Sequence, residues 1–283
     1  HDTRDYDFAK KYNLPLKTTT IFNRKQLSLW FLSLFNIFFI FWFKNIYIFV
    51  TLIEIFVGKN KLARFEENRK LPNVIQPSRE DALGDFELKG KWRERVFKNN
   101  NPIVLELGCG KGEYSVGMAK AFPDKNFIGV DIKGARFWFG AKEAVEKGLN
   151  NAAFLRTQIE LIDCFFDENE VDEIWITFPD PQIKYRRGKH RLTHPDFLNR
   201  YKKILKPSAI IHLKTDSEFL HGYTLGILQG YGHEILTAHH DIYGAPEYEP
   251  DTLYLREIKT YYEELFSAKG KTITYIKFRL NQK

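Results

Sequence analysis

The chain has 283 residues, 43% of them apolar, and a formal net charge of +7. That length holds one domain of about 200–250 residues with an extension, or two smaller domains, and the apolar content is enough to bury a sizeable core. The positive excess favours an anionic partner. Cys109 and Cys164 stand at no metal-like spacing, which excludes a disulfide framework and points to a reducing compartment.

The first 56 residues do not match the rest. Residues 27–57 read LSLWFLSLFNIFFIFWFKNIYIFVTLIEIFV, and the uninterrupted part, Leu27 to Phe43, is 17 residues long. As a helix it is roughly 26 Å, just enough for a membrane-span candidate. Arg24 and Lys25 flank it on one side and Lys44 on the other. The segment is built almost only of Phe, Ile, Leu, Asn, Lys, Tyr and Trp, most of which have AT-rich codons. Residues 1–17, HDTRDYDFAKKYNLPLK, resemble a short stretch of the leucyl-tRNA synthetase editing domain, a match that covers nothing else in the chain. The only methionine is Met118. A synthetase fragment, a Phe/Ile-rich run and then a complete domain read as a frame extended upstream of its start, with Val57 as a GTG start codon. Residues 1–56 are therefore expected to be a non-native extension, with a membrane anchor as the alternative. A secretory signal fits poorly, because no small-residue cleavage site follows.

Residues 57–101 are charged and loop-rich, and are expected to form an N-terminal arm with a basic start at Lys59, Lys61 and Arg64. From Pro102 to the end, residues 102–283, a regular alternation sets in. Ile103–Leu107 is an apolar run ending at glycines, as a buried parallel strand would. Residues 113–121 are helix-like, and residues 127–130 form a second apolar run ending at Asp131. Residues 134–147 predict a helix stopped by Gly148. Strands follow at 153–156, 173–178 and 209–214, and helices at 195–205 and 218–229. Two last strands, 233–238 and 272–280, surround a helix at 259–268. Strands alternating with helices predict an α/β, Rossmann-like fold. Its simplest closure is a seven-stranded, mostly parallel sheet with helices on both faces and an antiparallel pair at one edge.

The first strand runs into Glu106-Leu-Gly108-Cys-Gly110-Lys-Gly112. Glycines there allow a tight turn and close ligand approach, but the spacing is G-x-G-x-G, not the G-x-G-x-x-G of dinucleotide sites. Glu106 adds a carboxylate at the strand end. Asp131, 23 residues after Gly108 at the tip of the second strand, can accept both ribose hydroxyls of a nucleoside cofactor. Acidic residues suit the positive charges of S-adenosyl-L-methionine and repel a pyrophosphate, so that cofactor is favoured over NAD.

Residues 174–191 read IWITFPDPQIKYRRGKHR. An apolar strand ends at Pro179-Asp180-Pro181, and the prolines stiffen the turn that holds Asp180. Lys184, Arg186, Arg187, Lys189, His190 and Arg191 follow. A carboxylate at a strand tip beside a cluster of cations suggests chemistry on nucleic acid. Lys214-Thr215-Asp216 ends the fifth strand, and Thr260-Tyr-Tyr-Glu263 opens the helix before the last. Read singly, Asp216 and Thr260 could be helix caps.

Taken as a set, ELGCGKG, FPDP with a Lys four residues after the Asp, KHRLT, HLKTD and T-x-x-E-E-x-F-x-x-x-G resemble the tRNA (guanine-N7)-methyltransferase family over about residues 58–281. The resemblance implies a class I S-adenosylmethionine-dependent methyltransferase acting on N7 of guanosine 46 in the tRNA variable loop. It implies that Asp180 is catalytic and that Glu106, Gly108, Gly110, Asp131, Gln158 and Asp180 line the cofactor. Lys184, Asp216, Thr260 and Glu263 match the positions the family uses on its substrate. Arg186, Arg187, Lys189 and Arg191 are then expected to contact tRNA phosphates. Two departures stand out: Gln182 where many members have Trp, and Gln158 where many carry an acidic residue near the adenine. The implied partner is tRNA in the cytoplasm, with no metal and no stable protein partner, and with a membrane only if segment 27–57 is a real span. The alternative is a methyltransferase for a different RNA, a protein or a small molecule, which would not need the cations of 184–191.

Overall fold

Buried apolar runs make the parallel strands, and glycine or acidic residues end them. In the computed structural model the described residues are 61–244 and 253–281, all within the compact unit Asn60–Lys283. The hydrophobic segment 27–57 and the synthetase-like residues 1–17 lie outside them. Strand β1 is Val74–Ile75, β2 Ile103–Leu107, β3 Asn126–Val130, β4 Ala152–Leu155, β5 Val171–Thr177, β6 Leu205–Thr215, β7 Glu234–His239 and β8 Thr274–Arg279. Helix α1 is Arg79–Leu83, α2 Glu113–Ala121, α3 Gly134–Glu146, α4 Ile162–Phe165, α5 Pro195–Ile204, α6 Glu218–Gly230, α7 Leu253–Glu257 and α8 Tyr261–Ala268.

The sheet runs β1-β4-β3-β2-β5-β6-β8-β7. Pairs β1–β4 through β5–β6 are parallel, and β8 is antiparallel to both β6 and β7. It has eight strands where seven were expected. The extra strand is β1, two residues pairing Val74 with Phe154 and Ile75 with Leu155. The chain builds outward from β2 to β3 and β4, then returns to place β5 on the other side of β2. That reversal is the topological switch point where α/β sheets bind ligands at the carboxyl ends of their strands.

Two cores cover the two faces. Ile103, Leu105 and Leu107 of β2 pack with Phe197, Leu198 and Tyr201 of α5 and with Leu220 and Leu228 of α6. Val104, on the opposite face, joins Tyr114, Val116 and Met118 of α2 and Phe137, Ala141 and Ala144 of α3. The alternation along β2 follows from the two-residue period of a strand. Residues 61–101, read above as a loop-rich arm, contribute to the first core. Trp92 is fully buried, stacks on Phe166 with ring centroids 5.1 Å apart and donates its indole N–H to the Phe165 carbonyl at 2.9 Å.

Candidate active site

The glycine loop is closed on itself. Gly108, Gly110 and Gly112 have φ of 79°, 58° and 79°, a region that disfavours any side chain. The Gly108 and Cys109 amides both donate to the Val130 carbonyl, at 2.8 and 3.1 Å, and Gly112 N donates to Cys109 O at 2.8 Å. Gly110 N donates to Asp131 Oδ2 at 3.0 Å. With these four amides engaged, the loop lacks the free N–H cradle that holds a pyrophosphate. Gly112 is also locked by packing, because a Cβ there would lie 2.6 Å from the Phe154 ring, whereas a Cβ on Gly110 would meet nothing within 4 Å. The position over Gly110 is therefore open.

Glu106 lies beneath this loop and is only 5% exposed. Gly112 occupies the N-cap of α2 and has no side chain with which to cap it. Glu106 fills that role from β2, accepting the Ser115 amide at 2.8 Å and the Ser115 hydroxyl on Oε2. Its Oε1 accepts the Thr177 hydroxyl at 2.6 Å. A carboxylate on the third amide of a helix also complements the helix dipole. Burial nevertheless pushes Glu106 up to about 7, against the pull of these donors.

Asp131, at the tip of β3, accepts Gly110 N on one oxygen and Lys133 N on the other, at 3.0 and 2.8 Å. Gln158 follows β4 and is exposed. Gly108, Asp131 and Gln158 line one cleft of about 490 Å³, whose other wall includes Gln182, Arg187 and His190. The glycine-loop side and the cationic loop thus share a single opening.

The turn after β5 is strained. Phe178 and Gln182 both have φ of 46°, which costs a non-glycine residue on the order of 1 kcal/mol. Between them Asp180 is exposed and accepts the Gln182 amide at 3.0 Å. Lys184, Arg186, Arg187 and Lys189 are exposed around the short 3₁₀ turn Tyr185–His190. Arg191, expected among the phosphate contacts, is turned inward and is 8% exposed. It donates to the Pro181 and Gln182 carbonyls at 3.3 and 3.1 Å. Its guanidinium lies 4.8 Å from the Phe219 ring centroid and 4.4 Å from that of Tyr223, both on α6. The fold uses Arg191 to pin the loop and leaves the other cations facing solvent.

At the end of β6, Asp216 pairs with Lys271 at 2.7 Å, and Ser217 caps α6 instead. Thr260 caps α8, accepting the Glu263 amide at 3.2 Å. The Glu263 carboxylate is fully buried, 2.8 Å from Lys214 Nζ, and accepts the Tyr243 hydroxyl at 2.8 Å. Burial pushes the Lys214 ammonium down, opposed by the charge of Glu263. Of the four positions expected on the substrate, Lys184 is exposed, Asp216 partly so, and Thr260 and Glu263 are buried.

Comparison with known proteins shows the family. A family model described as putative methyltransferase matches residues 100–276. A tRNA (guanine-N(7)-)-methyltransferase of Christiangramia forsetii is 66% identical over 224 residues, 79% of this chain and 99% of its own length. The chain belongs to the tRNA (guanine-N(7)-)-methyltransferase family. A relative with the same name from Bacteroides fragilis is 50% identical, covering 80% of this chain and 88% of its own. At the level of fold alone, the solved structure of an antibiotic-related methyltransferase is similar, with 16% identity, a TM-score of 0.50, and coverage of 70% of this chain and 96% of its own.

Within this member of the tRNA (guanine-N(7)-)-methyltransferase family, sequence reasoning overlooked Ser115 and Thr177. Thr177 lies two residues beyond Trp175, which pairs with Glu106 in the β2–β5 register. Parity alone therefore puts Thr177 on the Glu106 face. Ser115 is the third residue of α2, where a helix amide needs an acceptor.

Proposed function

We propose that this chain transfers the methyl group of S-adenosyl-L-methionine to N7 of a guanosine in tRNA, at position 46 of the variable loop, in the cytoplasm. The cleft lined by Gly108, Asp131 and Gln158 on one side and by Gln182, Arg187 and His190 on the other carries this reading. It gives a nucleoside cofactor and a polyanion adjoining places. The relatives named for this activity supply the identity of the base.

The donor set fits the cofactor. Open space over Gly110 receives it, Asp131 retains lone pairs for ribose hydroxyls, and the Gln158 amide suits an adenine edge. The engaged loop amides disfavour a pyrophosphate. Glu106, with three donors already on it, serves the cofactor by holding the start of α2 and the tip of β5. When bound, S-adenosylmethionine supplies a methyl group on a sulfonium, whose sulfur keeps the bonding pair as guanine N7 takes the methyl.

Guanine N7 carries an in-plane lone pair and no proton at neutral pH, so the chain need not supply a general base. It has to orient the base in line, the source of much of the rate in such reactions, and to meet the positive charge that grows on the ring. Asp180 supplies that negative field from a turn held by strained backbone and by Arg191. The target base has to leave its stack to reach it. Lys184, Arg186, Arg187 and Lys189 hold phosphates and fix the register. Asp216, Thr260 and Glu263 shape the substrate side, the latter two by fixing α8.

Incubation of the full chain with labelled S-adenosylmethionine and bulk tRNA, followed by nucleoside analysis, tests the reading. Label in 7-methylguanosine is the expected result. Its absence, with the protein folded, overturns the proposal.

A further inference from the structure

Tyr185 is 97% exposed and Ile183 68% exposed, the former more than any other large hydrophobic residue among the described residues. Isolated apolar side chains on a surface are ordinary, but three observations set this pair apart. The loop that carries them is held in place. Arg191 bonds two of its carbonyls and stacks on α6, while Arg187 N and Arg191 N close the turn onto the Lys184 and Gly188 carbonyls at 2.9 and 3.1 Å. The neighbours in sequence are exposed cations: Lys184 between the two apolar residues, Arg186 and Arg187 after them. The same loop also forms one wall of the cleft through Gln182, Arg187 and His190.

An aromatic ring wholly in water, carried on a pinned loop among exposed cations, matches the chemistry of single-stranded RNA. Its bases present π faces at the spacing of its phosphates, and stacking on such a ring needs no particular base. We propose that Tyr185 is a stacking platform for an unpaired nucleobase of the tRNA next to the target guanosine, with Lys184 and Arg186 on the flanking phosphates. This rests on the tRNA reading above and adds to it a contact made by the base rather than the backbone.

The test compares tRNA binding and methylation by the full-length wild type, Tyr185→Phe, Tyr185→Leu and Tyr185→Ala at several salt concentrations. Full exposure of the side chain leaves the fold indifferent to these changes. The expected result is a Kd for tRNA about tenfold higher for the Ala and Leu variants. Tyr185→Phe should stay near wild type, the slope of log K against log salt should not change, and the affinity for S-adenosylmethionine should be untouched. A wild type that methylates tRNA while the Ala variant binds equally well overturns this inference alone. So does a Phe variant as weak as Ala, or a shallower salt slope, since either makes Tyr185 a hydroxyl or phosphate contact. A wild type that neither binds nor methylates tRNA overturns the functional reading, and this inference with it.

Discussion

Thr177 donates its hydroxyl to Glu106 at 2.6 Å, tying the tip of β5 to the tip of β2 at the point where the strand order reverses. One residue beyond Thr177 the backbone enters the strained turn that carries Asp180. The bond therefore joins the strand that leads into the glycine loop to the strand that leads into the Asp180 turn. Thr177→Val preserves shape and removes the donor from a buried carboxylate. We expect a loss of about 1–3 kcal/mol in stability, with recovery in Thr177→Ser. Urea denaturation measures it, and a Val variant as stable as the wild type would show that the bond contributes nothing net.

Glu106 itself should make stability depend on pH. Burial raises it to about 7 from an ordinary value of 4.5. A carboxyl raised on folding stabilises the fold fully below the unfolded value and loses that contribution as pH rises through the folded one. The window is about pH 4.5 to 7, and the amount about 3 kcal/mol. Glu106→Gln, which cannot ionise, lacks this term. The stability of the wild type relative to the variant should therefore fall by that amount between pH 4.5 and 8 in matched denaturation series. A constant difference across the range would mean that Glu106 does not titrate there.

Asp180→Asn keeps the size of the side chain and removes its charge. If the carboxylate provides the field for the developing cation, single-turnover methylation should slow by about 10²–10³-fold. Affinities for tRNA and for S-adenosylmethionine should stay within a few-fold of wild type, because the Gln182 amide that Asp180 accepts still finds an oxygen. Full turnover in this variant removes Asp180 from the chemistry.

Lys184 and Arg187 face solvent, whereas Arg191 is buried against α6. Lys184→Ala and Arg187→Ala should each weaken tRNA binding and reduce the salt slope by about 1. Arg191→Ala should leave the slope closer to wild type and instead lower thermal stability, because the Pro181 and Gln182 carbonyls lose their donor. Binding isotherms at a series of salt concentrations, with melting curves alongside, separate the two behaviours. Equal slope changes for all three would place Arg191 on the RNA.

The parallel strands were legible because each buried run is long enough to show its own pattern, as Ile103–Leu107 and Asn126–Val130 are. Strand β1 was not. Its two residues carry no period, and it exists only because β4 offers an open edge to Val74 and Ile75. In the site, the spacing from Glu106 to Asp131 could be read directly, since both end strands. The inward turn of Arg191 could not, because in sequence it is one cation among six, and only the position of Phe219 and Tyr223 on α6 selects it. The same holds for Glu263. Its place three residues after Thr260 fits a helix start, yet what its carboxylate meets is decided by Lys214, on a strand 49 positions earlier in the chain.

That Lys214–Glu263 pair is fully buried on both sides and joins the end of β6 to the first turn of α8. Lys214 also donates to the Leu255 carbonyl of α7, and Tyr243 donates to Glu263, so four separate segments converge on two charges. Removing one partner strands the other in a dry site. Lys214→Met and Glu263→Met should each cost about 3–5 kcal/mol. The double variant loses both charges together and should cost clearly less than the two single changes combined, leaving chiefly the unmet Leu255 carbonyl and Tyr243 hydroxyl. A double-mutant cycle from denaturant unfolding reads the coupling directly. Additive costs would mean that the two side chains act independently, and α8 would then be held without them, by its Thr260 cap, the Tyr261 amide bond to Glu113 and apolar packing.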